Sequence, residues 1–291
     1  MSETLYTLPV IKQISPYLSL RKIGSLDLIV IVHPEVRAAI TVQGAHLIAW
    51  QASGEKPLLW LSEKSPFTAG KAIRGGVPVC WPWFGPAGEP AHGFARILPW
   101  SLTAHDENER NVLLTMTLNS SEQSKKLWPH DFTLLLRFRL GERCEIEMEA
   151  HGDFDATAAF HSYFAVNDIQ QVSVSGLGNT FIDKVNQSTE GDLSGGKQTY
   201  PDRVDRIHTQ PEDCSIIHDN STGSTLEIHH HHHSDVVTWN PGPALSSSMA
   251  DMPGEGYRHM VCVETARITT PMQSRPESPA RLAVTFQRVK R

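Results

Sequence analysis

Strict alternation of apolar and polar residues constrains this chain more than any other feature. In Cys144-Glu145-Ile146-Glu147-Met148-Glu149-Ala150, glutamate takes every second place. Through Phe132 to Leu140 every even position is apolar. Val112, Leu114, Met116 and Leu118 repeat the pattern upstream, and Leu282, Val284 and Phe286 repeat it near the end. Side chains on a strand point to opposite faces in turn, so a period of two describes strands with one dry face and one wet face. Antiparallel sheets tolerate water on one side in this way. The same residues wound into helices would spread their apolar groups around the axis and bury none of them well.

Further strands are expected at 26–32, 37–42, 46–50, 225–230, 235–239 and 259–264. Helix signals are rare, the best being Ser121 to Leu127, with a serine at its start and Pro129 just beyond. The expected fold is all-β, a large antiparallel β-sandwich with few short helices, forming a single domain over residues 1–291. The polar stretch from Gln187 to Pro211 carries several turn signals and reads as a long excursion from the sandwich.

Bulk properties narrow the function. A net charge of −6 without a Lys/Arg run argues against nucleic acid. No apolar run approaches the roughly 18 residues of a membrane span. The start, Met1-Ser2-Glu3-Thr4, lacks a signal peptide's basic and apolar regions. Cys80, Cys144, Cys214 and Cys262 are scattered with no CxxC pair, as expected of buried thiols in a reducing cytoplasm. The run His229 to His233 leads into strand-like sequence and reads as an exposed strand end or turn rather than a structural metal site. No metal is expected, and no cofactor: there is no P-loop and no GxGxxG after a strand.

Chemistry concentrates in four places. Between Arg74 and Arg96 lie His92, Trp81, Trp83, Phe84, Phe94 and several glycines. Arginine forks match phosphates or carboxylates, glycine lets backbone approach a ligand, and aromatic faces can lie against a sugar. The segment reads as the rim of a pocket for a small, polar, anionic ligand. His161 sits in the aromatic stretch Ala159-Phe160-His161-Ser162-Tyr163-Phe164. Asp202, Arg203, Asp205 and Arg206 interleave their charges after Pro201. Glu264 ends the apolar stretch His259-Met260-Val261-Cys262-Val263, where a cleft could make it a base.

Taken with Gln43-Gly44-Ala45-His46-Leu47 and Trp239-Asn240-Pro241-Gly242-Pro243, these residues resemble the galactose-mutarotase-like superfamily, and within it the hexose-6-phosphate mutarotases. The resemblance spans nearly the whole chain. It implies an isomerase of β-supersandwich fold with the sugar in an open cleft. It implies catalytic roles for His161 and Glu264, a 6-phosphate held by Arg74 and Arg96, and hydroxyl contacts from His92 and Asp205. The implied partner is a small-molecule hexose phosphate, and the expected state is a monomer or weak oligomer.

Anomer exchange needs one proton removed from the C1 hydroxyl and one delivered to the ring oxygen, with Glu264 expected as base and His161 as acid. Their mutual attraction is expected to keep both charged near neutral pH. Two other readings are a mutarotase for unphosphorylated aldoses and a non-catalytic sugar-phosphate binder.

Overall fold

The computed structural model describes residues 2–187, 189–193 and 195–289. Among them, three antiparallel sheets account for nearly all regular structure. A five-stranded meander runs in chain order through Lys12–Gln13, Leu18–Ile23, Leu26–His33, Val36–Thr41 and His46–Ala52. A nine-stranded sheet contains the strongly alternating segments side by side: Ala280–Arg288, Cys144–Gly152, Phe132–Leu140 and Val112–Asn119. Register explains why alternation was so visible here. Ile146 lies opposite Phe138 and Val284, and Met148 opposite Leu136 and Leu282, so the dry residues of adjacent strands form continuous rows.

The third sheet has eight strands and carries the site. Its central strands are Val204–His208, Asp235–Asn240, Met260–Ser274 and Phe154–Phe160, in that order, with Tyr163–Ala165 also paired to Met260–Ser274. One face packs on the nine-stranded sheet: Phe160, Val236, Val261 and Val263 join Phe138, Ile146, Val284 and Phe286 in one core. The alternate residues, including Ile207, Val237, Cys262 and Glu264, point the other way.

The predicted helix is Glu122–Leu127, capped by the Ser121 side chain on the Ser124 amide, with the Ser124 hydroxyl returning the bond to the Ser121 amide. A further helix, Gly242–Ser248, gave little signal because no side chain caps its start and its glycine, proline and serines are poor helix formers.

Three expectations need correction. The stretch 187–211 is not an excursion: Thr189–Asp192, Lys197–Thr199 and Val204–His208 are strands, the last lying inside the eight-stranded sheet. Ser188 and Ser194 lie outside the described residues. Strand 259–264 is much longer than expected, running Met260–Ser274, so Glu264 sits within the sheet rather than at a strand end. In the histidine run, His229 to His231 finish the strand Ser224–His231 and His232 turns with a φ of 58°. His231 and His232 are exposed as expected, but His230 is buried between the hydroxyls of Thr265 and Ser215.

Candidate active site

Two cross-strand rows on the free face of the eight-stranded sheet build the floor of a cleft. In one, Asp205 pairs with Trp239, Trp239 with Cys262, and Cys262 with Tyr163. In the next, Ile207 pairs with Val237 and Val237 with Glu264. His161 lies between the strands Phe154–Phe160 and Tyr163–Ala165, which brings its ring alongside Glu264. The cleft has a volume of about 450 Å³. Arg74, His92, His161, Asp205 and Glu264 all line it, so five side chains spread over 191 positions of sequence converge.

At the centre, His161 Nδ1 stands 3.4 Å from Glu264 Oε1. Both residues are deeply buried, with 8% and 1% of their surface exposed. Nδ1 of His161 and Oε2 of Glu264 have no hydrogen-bond partner. Buried polar atoms are nearly always satisfied, so two orphans side by side in a cleft mark a place for a polar ligand. The His161 ring is fixed by stacking on Tyr163 (4.9 Å, 12° between planes), and Tyr163 stacks in turn on Trp60.

Their ionisation differs from expectation. Burial pushes the His161 pKa well below its usual value, and the neighbouring His92, Arg96 and Arg74 push the same way. Burial also pushes Glu264 well up, Asp205 adding to it and Arg96 opposing. Desolvation therefore outweighs mutual attraction: burial disfavours the imidazolium and the carboxylate alike.

Arg74 is held firmly. Its Nε and Nη2 meet the Asp251 carboxylate at 3.1 and 3.0 Å, and its Nη1 donates to the Tyr163 hydroxyl at 3.0 Å. The loop carrying it depends on glycine. Gly76 has a φ of +64°, and a Cβ there would lie 2.4 Å from the Leu47 carbonyl oxygen and 2.9 Å from His46 Nε2. His46 braces the same loop, its Nε2 donating to the Gly75 carbonyl oxygen at 2.8 Å. Gly76→Ala is expected to lower stability by about 1–3 kcal/mol through backbone strain alone. A thermal midpoint equal to that of the parent protein would refute this account of the loop.

His92 takes a φ of 64°, rare for a residue with a side chain. It is held by the Gly85 backbone, whose carbonyl accepts from the His92 amide at 2.8 Å and whose N–H donates to Nδ1 at 3.3 Å. An accepting Nδ1 places the proton on Nε2. Burial, with Arg96 and Arg74, lowers the His92 pKa to about 4, so this histidine is a neutral hydrogen-bonding group at pH 7.

The remaining predicted residues fall out differently. Asp205 lines the cleft, whereas Asp202 is exposed and its Oδ1 accepts from the Arg203 amide. Burial raises the Asp205 pKa. Arg96 does not line the cavity: its Nη2 donates to the Ala91 carbonyl, and its charge reaches His161 and Glu264 from beside the floor. Of the aromatic residues expected at the rim, only Phe84 lines the cleft. Trp81 and Phe94 are wholly buried, packing edge to face in the main core, and the indole of Trp83 is tied to the Pro90 carbonyl. The aromatic wall is Trp239 instead. Tyr163, Asp251 and Lys184 also belong to the site or its support. Tyr163 could have been read from its place two residues after His161. Asp251 and Lys184 gave no local signal.

Comparison with known proteins adds to this geometry. The family model described as aldose 1-epimerase matches residues 27–284. Over the full length of both chains, the sequence is 57% identical to a protein of Salmonella typhimurium strain LT2 and 55% identical to one of Escherichia coli K12, each named "Putative glucose-6-phosphate 1-epimerase". The crystal structure of a Salmonella typhimurium protein described as a "putative mutarotase" superposes with a TM-score of 0.98, at 57% identity and full coverage of both chains.

Proposed function

The chain belongs to the aldose 1-epimerase family and is an isomerase, and from that premise we propose that its substrate is a hexose 6-phosphate, D-glucose 6-phosphate above all, whose α and β anomers it interconverts. The observation that carries this reading is the His161–Glu264 pair, with its unpartnered atoms, in a cleft that Arg74 edges. The relatives' names point to the same substrate.

Ring opening needs the pair to hold one proton between them. Burial favours that proton on Glu264. One transfer across 3.4 Å gives carboxylate and imidazolium. A phosphate dianion beside Arg74 favours the transfer, because it offsets guanidinium charge that adds to burial in lowering the His161 pKa. Glu264 then takes the C1 hydroxyl proton, His161 protonates the ring oxygen, and the C1–O5 bond breaks. Rotation about C1–C2 and the reverse steps close the other anomer, restoring both groups. His92 and Asp205 offer hydrogen bonds to sugar hydroxyls, and Trp239 an apolar face.

Arg74 is assigned to the phosphate, with Arg96 adding positive potential. A hydrogen bond to a charged group is worth about 1.5–3 kcal/mol, so Arg74→Ala should raise KM for glucose 6-phosphate roughly tenfold to a hundredfold. Free glucose should be affected far less. The Arg74–Asp251 ion pair favours a second reading, an unphosphorylated aldose, since the arginine already has a counter-ion. Magnetisation-transfer NMR of both sugars, with wild type and Arg74→Ala, decides between them. Equal acceleration of both sugars, and equal loss, removes the phosphate assignment.

A further inference from the structure

We propose that the floor of this cleft is also a binding site for a thiophilic divalent cation such as zinc, held by His161, Cys262 and Glu264, and that the cation inhibits the enzyme. The inhibition rests on the catalytic reading above; the binding does not. Each of the three residues offers one ligand atom, and the three atoms lie within 4.8 Å of one another. Cys262 and Glu264 are two apart on one strand and so share the cleft-side face, with His161 on the adjoining segment. The 3.4 Å from His161 Nδ1 to Glu264 Oε1 matches the edge of a zinc tetrahedron, which is roughly 3.3 Å for metal–ligand bonds of about 2.0–2.2 Å. The thiol, within 4.8 Å of the other two atoms, must stand roughly 3.5 Å from them in a tetrahedral set. The unpartnered Nδ1 would be the nitrogen donor, and the unpartnered Oε2 remains beside the ion.

Charge is conserved in the exchange. Cys262 gives up its thiol proton and Glu264 its carboxyl proton to solvent, His161 contributes a neutral lone pair, and the two new anionic ligands balance the dication. The mixed sulfur, nitrogen and oxygen set suits zinc or cobalt over magnesium or calcium. A bound ion would occupy the proton-transfer atoms directly, so it competes with the sugar. Cys262 has no part in the proton transfers proposed for anomer exchange, which leaves its place beside the pair otherwise unassigned.

Cobalt(II) is the probe, because thiolate ligation gives a charge-transfer absorption that histidine alone does not. The control matters: Cys214 lies opposite His229 in the register of the nine-stranded sheet, so the histidine run could also trap metal beside a thiol. The expected result is a charge-transfer band in wild type and in Cys214→Ser, lost in both Cys262→Ser and Cys262→Ala, and displaced by zinc. Zinc should inhibit wild-type anomer exchange at least tenfold more strongly than that of the Cys262 variants. Absence of the band in folded wild-type protein with cobalt in excess overturns the proposal, as does a band that survives in the Cys262 variants and vanishes in Cys214→Ser. Should the Cys262 variants not fold, the band is read in a protein carrying both Cys80→Ser and Cys214→Ser, because Cys80 Sγ also lies 3.4 Å from His92 Nδ1: loss there overturns the proposal, and retention supports it. A cobalt band assigned to Cys262 in a protein that exchanges no anomers sinks the catalytic reading and leaves the metal site standing.

Discussion

Glu264→Gln is expected to cut the exchange of glucose 6-phosphate anomers by about 10²- to 10⁴-fold while leaving substrate affinity close to that of the parent protein. The amide keeps the shape of the side chain and cannot take up the C1 proton. The variant should also be more stable at neutral pH. Burial raises the Glu264 pKa above its ordinary 4.5, so the folded protein keeps a proton that the unfolded chain releases. A raised acid costs stability increasingly as pH climbs above the unfolded value and toward the folded one. Glutamine has no such cost. The gain in thermal midpoint should therefore grow from pH 4.5 upward. Lost activity with gained stability is the signature of a group kept for chemistry. Near-normal exchange, measured by magnetisation transfer, would remove Glu264 from the reaction; lost exchange with lost stability would assign it to structure.

Glu264 also shows how far the sequence could be read. Its residue type and the apolar run before it singled it out, because a carboxylate among buried residues costs too much to be incidental. Its true setting, mid-strand in a sheet, was hidden, since Ala266 to Ser274 alternate poorly where one face meets the core and the other the site. The nine-stranded sheet was legible because the outward residues of its alternating strands, such as Glu145 and Glu147, reach water. In the eight-stranded sheet residues of both faces are buried, so 235–239 read as a strand without the alternation that would say which side chains face the cleft. The tryptophans misled for a related reason: Trp81 and Trp239 are equally plausible as sugar platforms by type, and only tertiary packing puts one in the core and the other in the cleft. Asp251 meets Arg74 across 177 positions, a distance at which no local pattern survives.

Acid should unfold this protein steeply, and the histidines are the reason. His46 and His208 are buried with pKa values pushed down to about 3, and burial holds His161 and His230 well below 6.5. Each is neutral in the fold and takes up a proton on unfolding once the pH drops below 6.5. A depressed folded pKa contributes stability that is present above the unfolded value and is lost as pH falls toward the folded one. Glu264 and Asp205 act in the opposite sense, because their raised pKa values let the fold retain protons. His92, its pKa lowered to about 4, adds to the histidines' side. Below pH 6.5 the unfolded chain therefore binds more protons than the fold, and stability should fall steadily as the pH is lowered. The urea midpoint should drop sharply from pH 7 to pH 5, and His46→Gln should flatten the slope by one proton whatever it does to stability itself. A midpoint that does not move over this range would mean that these histidines are protonated in the fold, and with them His161.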